Sequence, residues 1–191
     1  MAKVRPIEWF DFRKYHRLLI DTNVWLYLNG PQVRDDDKSR KYSDALKRIR
    51  RAESHVLTDV LVLSEFINRY LRIKYKVWKR RKEVEFKGFR SSTDYPAVAK
   101  DTANAVRVIL KVCRPVDTAL ESIDMEALLI DFEKNRRDFN DQVLAETCRS
   151  QDLTLITHDG DFRGYEITVL TANNRLLEPG DGSSTDAPPE S

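Results

Sequence analysis

The chain has 191 residues, 41% hydrophobic and 34% charged, with six glycines and seven prolines; this balance fits about one folded domain and excludes a fibrous or wholly disordered chain. Its longest aliphatic runs, residues 60–63 and 127–130, are far shorter than the roughly 20 residues that cross a bilayer, and residues 1–15 lack the apolar stretch and cleavage site of a secretory leader, which points to the cytoplasm and to no membrane partner. Net charge is +2, but residues 178–191 hold four acids and no base, leaving 33 basic against 27 acidic residues elsewhere.

In chain order, residues 16–20 (HRLLI) form a short apolar run ending at polar residues, as a buried first strand does. Asp35, Asp36 and Asp37 precede a helix over 38–51, where acids suit the N-terminal dipole and read as capping rather than catalysis. Residues 55–58 (HVLT) predict a second strand. From Asp59 the spacing of Leu63, Ile67, Tyr70, Leu71, Lys74 and Trp78 predicts a long helix, with a break near Gly88. Residues 91–96 are a turn-rich gap before a helix over 98–110 and a third strand over 114–116. Helices over 125–134 and 140–150 follow, then closing strands over 153–157 and 167–170. The alternation predicts an α/β fold with a mostly parallel sheet. Residues 1–177 read as a single unit with a basic helical extension near 72–93, and 178–191 as a disordered acidic tail. Cys113 and Cys148 have no metal-ligand spacing and read as buried free thiols.

Open parallel sheets bind ligands at the carboxyl ends of their strands, so acids directly after strands carry the most weight. Asp21 follows Leu18, Leu19 and Ile20 and precedes Thr22 and Asn23; the bland alternative is a helix cap. Glu65 sits in the apolar LVLSEF, where an unpaired acid is uncommon. Asp138 and Asp141 bracket the start of a helix; Asp138 is read as its cap or as a member of the site. Asp159 and Asp161 both follow the strand that ends at Thr157, so either one serves as a fourth acid.

Taken together, LLIDTNVWL, LVLSEF, DFNDQVLAETC and LTLITHDGDF resemble the PIN domain family, above all its VapC-like toxin branch. The resemblance implies a three-layer α/β/α sandwich and a metal-dependent ribonuclease site. Its acids fall on Asp21, Glu65, Asp141 and Asp159, with Asn23 and Thr157 as supporting polar residues and Asp138 and Asp161 nearby. It also implies RNA as substrate, a small antitoxin partner and a homodimer. Clustered carboxylates repel one another unless a cation intervenes. Hard oxygen donors suit Mg²⁺ or Mn²⁺, with Asp21 and Asp141 at the core of the metal site, Asp159 ligating directly or through water, and Glu65 on the attacking water. His158 reads as a surface histidine rather than a base, because its neighbour Asp159 points the other way.

Between Arg69 and Arg90 lie ten Lys or Arg against two Glu, a stretch that suits a polyanion. Lys79, Arg80, Arg81 and Lys82 at its centre are expected to contact RNA. Tyr70 and Trp78 read as packing, while Phe86 and Phe89 are open between packing and base stacking. Among other classes, a phosphatase of the haloacid dehalogenase type requires Asp where Asn23 stands, and no phosphate-binding GxxxxGK[ST] occurs. The competing reading is a PIN-like RNA-binding or scaffold protein whose site is vestigial.

Overall fold

The computed structural model describes residues 3–31, 36–80, 84–118, 120–134 and 137–178. The expectations for Asp35, Arg81, Lys82 and the tail after residue 178 lie outside the described residues. Its strands are β1 (Lys3–Pro6), β2 (Arg17–Ile20), β3 (His55–Thr58), β4 (Arg114–Pro115), β5 (Thr154–Ile156) and β6 (Thr168–Thr171). Its helices are α1 (Thr22–Asn29), α2 (Asp37–Arg51), α3 (Val60–Lys79), α4 (Phe86–Arg90), α5 (Tyr95–Leu110), α6 (Met125–Glu133), α7 (Phe139–Ser150) and α8 (Asn174–Leu177).

The strands form one six-stranded sheet in the order β1-β6-β5-β2-β3-β4, and every pairing is parallel. Central strand β2 aligns Leu19 with Leu57 on one side and Leu155 on the other. All three leucines are buried, because a parallel sheet covered on both faces needs continuous apolar runs rather than alternation. Right-handed crossovers then fix the layers. The steps β2 to β3 to β4 place α1, α2, α3 and α5 on one face. The reverse step from β4 to β5 places α6 and α7 on the other. The architecture is an α/β/α sandwich with a parallel central sheet.

Three departures from the sequence reading have physical causes. Strand β1 goes unpredicted because it is the outermost strand, with a half-exposed KVRP sequence that only its register against β6 makes extended. Helix α3 stops at Lys79, and Gly88 lies inside α4 rather than at the break, because Phe86 and Phe89 on either side of it pack against Tyr75 and Trp78 of α3. Helix α5 begins at Tyr95, with Pro96 in its first turn, where a missing N–H costs nothing.

The aromatic residues of the basic stretch pack against one another. Phe89 is fully buried, with ring centroids 4.9 Å from Trp78, 5.7 Å from Tyr75 and 5.5 Å from Tyr95. Phe86 lies 5.3 Å from Tyr75, beneath the Arg72 guanidinium at 4.0 Å. The question left open for Phe86 and Phe89 is answered in favour of packing: they hold the end of α3, α4 and the start of α5 together. Cys113 and Cys148 are buried and free, and burial pushes the Cys113 thiol up to about 12.

Candidate acidic cleft at the carboxyl edge of the sheet

Asp21 is the residue after β2, and its N–H still donates to the Ile156 carbonyl of β5 at 2.9 Å, so the sheet itself fixes its backbone. Although it stands at the N-cap of α1, its side chain makes no capping hydrogen bond. Other aspartates do cap. Asp36 accepts from Ser39 N–H, Asp59 from Val62 N–H, and Asp138 from Asn140 and Asp141 N–H. Asp21 instead turns its Oδ2 toward β5, where it accepts from the Thr157 hydroxyl at 2.6 Å and from Asn23 Nδ2 at 2.6 Å. Thr157, fully buried, also accepts from Asn23 Nδ2 and from the Asp159 N–H, and Asn23 Oδ1 accepts from the His158 N–H at 3.0 Å. One small polar network thereby locks the first and fourth acidic segments together.

Asp141 lies in the first turn of α7, beyond the cap supplied by Asp138. Asp159 caps the 3-10 turn Gly160–Gly164 by accepting from Asp161 N–H, while Asp161 itself is exposed. Glu65 stands in the second turn of α3, half-buried and paired with Arg69 one turn on at 2.8 Å.

These carboxylates feel one another. Burial raises Asp21 to about 6, against the Thr157 hydrogen bond and with help from the charges of Glu65 and Asp159. Burial raises Asp141 to about 7, reinforced by Asp138, Asp159, Asp21 and Asp161. Acids from four distant segments thus converge electrostatically on one cleft. Among the described residues, no three His, Cys, Asp or Glu side chains close on a single point as ligands of one ion. The donor set fits a hard divalent cation that takes one or two carboxylates directly and keeps its remaining waters, as Mg²⁺ does; it does not form a closed protein cage.

His158 is half-buried, not on the surface. Its ring meets Tyr27 and Tyr42 edge-on, at 5.4 and 5.8 Å between centroids, and its Nδ1 lies 2.9 Å from the Tyr42 hydroxyl. That hydroxyl also lies 3.1 Å from the Thr157 carbonyl and accepts from Ala172 N–H. Desolvation lowers its pKa, as does Lys38. Tyr42 therefore braces the chain on either side of Thr157, a role invisible in sequence because its partners lie more than 100 residues away. Lys79 and the exposed Arg80 stand at the far end of α3; Lys79 is 14 residues beyond Glu65, about 21 Å along the helix axis.

A fully parallel sheet with the buried Asp21 and the half-buried Glu65, Asp141 and Asp159 gathered beyond its carboxyl edge defines an α/β protein with an acidic cleft at the strand ends. The chain belongs to the PIN domain family, which matches residues 18–167 and includes all four acidic segments. In structure it is similar to VapBC2 from Rickettsia felis, solved bound to a DNA fragment from its promoter, at 16% identity and a TM-score of 0.51, covering 81% of this chain and 98% of that one. It is also similar to PAE2754 from Pyrobaculum aerophilum at 13% identity and a TM-score of 0.48, covering 91% and 94%. No curated protein sequence matches it. Among the described residues, no helix is long and apolar enough to cross a membrane.

Proposed function

We propose that the chain is a divalent-metal-dependent endoribonuclease, the toxin of a toxin-antitoxin pair, acting in the cytoplasm. The observation that carries this reading is Asp21: a buried strand-end carboxylate that declines to cap its own helix and is held by Thr157 and Asn23 in the field of Glu65, Asp141 and Asp159. Asp21 and Asp141 would hold Mg²⁺ or Mn²⁺, with Asp159 reaching it through water. When bound, the ion would neutralise the clustered charge and make a water more acidic. Glu65, oriented by Arg69, accepts a proton from the attacking water as its oxygen bonds to phosphorus and the opposite ester P–O bond breaks. Asn23 and Thr157 keep Asp21 from rotating away. Asp159 is favoured over Asp161 as the fourth acid, because it acts on both Asp21 and Asp141 while Asp161 is exposed. Residues 1–177 form the working unit, Lys79 to Lys82 meet RNA away from the scissile bond, and a second copy and a small antitoxin are its protein partners.

The second reading, an RNA-binding or scaffold protein without catalysis, is favoured by the Glu65–Arg69 ion pair and by the absence of a closed three-ligand site among the described residues. Incubating purified protein with single-stranded and structured RNA in Mn²⁺, Mg²⁺ or EDTA separates the two. Cleavage is expected with either metal, absent in EDTA, and lost in a folded Asp21→Asn variant. Binding with no metal-dependent cleavage overturns the hydrolase reading in favour of the scaffold.

A further inference from the structure

The cleft gathers acids, and a phosphodiester approaching it meets like charge; a cation at the rim would offset that repulsion. The basic run at the end of α3 is about 21 Å along the helix from Glu65, too remote to act on the phosphate being cut. A nearer cation stands on the opposite face of the sheet. Arg137 immediately precedes Asp138, the cap of the helix that carries Asp141. Its guanidinium carbon lies 4.5 Å from the centre of the Tyr165 ring, and its Nη2 donates to the Gly164 carbonyl at 2.9 Å. Tyr165 is itself buried and in the electrostatic reach of Asp141, Asp138 and Asp161, so the ring on which Arg137 rests stands near those acids. Among the described residues no carboxylate forms an ion pair with Arg137, despite the acids around it. Stacking and one carbonyl bond hold the plane in place and leave most of its five N–H donors for a ligand.

We infer that Arg137, stacked on Tyr165 and tied to the Gly164 carbonyl, is a phosphate anchor that seats the RNA backbone beside the acidic cleft. A planar guanidinium held by a ring can present two parallel N–H groups to phosphate oxygens, which a lysine cannot reproduce. The inference rests on the proposed reading of the cleft as a site for RNA.

Anchoring is read in EDTA, where no hydrolysis runs, by fluorescence anisotropy of a labelled single-stranded RNA titrated with wild-type, Arg137→Gln and Arg137→Lys proteins at several salt concentrations. Arg137→Gln is expected to bind about five- to tenfold more weakly and to lower the slope of log affinity against log salt by about 0.7, with an unchanged melting transition. Arg137→Lys is expected to keep the slope and recover part of the affinity. Wild-type affinity and slope in Arg137→Gln, equal losses in both variants at an unchanged slope, or no RNA binding by the wild type would each overturn the anchor. RNA held through Arg137 but never cut in Mg²⁺ or Mn²⁺ overturns the hydrolase reading alone. Metal-dependent cleavage together with wild-type affinity in Arg137→Gln overturns the anchor alone.

Discussion

An aspartate at a helix start has an easy use, the exposed N–H groups of the first turn, and Asp36, Asp59 and Asp138 all take it. Asp21 and Asp141 do not cap, and both are pushed toward neutrality by burial and by neighbouring acids, Asp159 among them in each case. Such an arrangement costs stability unless a cation or a proton relieves it. Replacing Asp141 by Asn removes one charge without removing a cap, so the metal-free protein is expected to melt at the same temperature or higher, by about 2–4 °C for each kcal/mol of repulsion relieved. The same substitution is expected to abolish the stabilisation that Mn²⁺ gives the wild type, because an ion that binds only the folded state raises its melting point. Differential scanning fluorimetry with and without Mn²⁺ measures both, and a fall of many degrees in the metal-free variant would mean that Asp141 holds α7 in place.

At the scale of elements, α3 does two jobs along its length. Its first turns carry Glu65 into the cleft, and its last turns enter an aromatic cluster with α4 and α5. Asp101 on α5 joins them through Tyr70 at 2.9 Å and Lys74 at 2.7 Å. Among the described residues the basic stretch is therefore a braced arm: its rings pack together, Lys74 pairs with Asp101 and Arg72 lies on Phe86, while Lys76, Lys79, Arg80 and Lys87 are exposed. Phe89→Ala is expected to cost about 3–5 kcal/mol, as emptying a fully buried aromatic site does, and to shift Trp78 fluorescence to the red as water reaches the indole. Wild-type melting with a loss of RNA affinity would instead make these rings a stacking surface.

For the whole molecule, the clustered acids set a pH dependence. A carboxyl whose pKa rises on folding makes the native state bind more protons than the unfolded chain, so its penalty is absent below about pH 4 and fully present above about pH 7. The half-buried His158 works the other way, losing stability as pH falls below the usual histidine range. Comparing wild type with Asp141→Asn cancels the histidine contribution. Between pH 8 and pH 5, in EDTA, the melting temperature of the wild type is expected to close on that of the variant, because a proton takes the place of the missing substitution. A gap independent of pH would show that Asp141 is not charged in the metal-free fold at pH 8.

Sequence by itself determined the central strands, most of the helices and the acids to inspect, because a buried parallel strand must be a continuous apolar run and a strand-end acid sits next to that run in the chain. Spacing left Asp138 open between cap and site, and the structure makes it the cap of α7. Tertiary structure decided everything that depends on partners distant in the chain. Strand β1 exists only against β6, Tyr42 braces Thr157 and His158 from more than 100 residues away, and Gly88 falls inside a helix whose neighbours are rings. Asp21 was legible as an acid at a strand end, but not as one that leaves its helix uncapped to bond across the sheet with Thr157. Arg137 carried no signal at all, since a cation beside an aspartate is ordinary in sequence. Only the fold brings Tyr165 beneath it, because burial and non-local hydrogen bonding are properties of the packed chain and not of any segment of it.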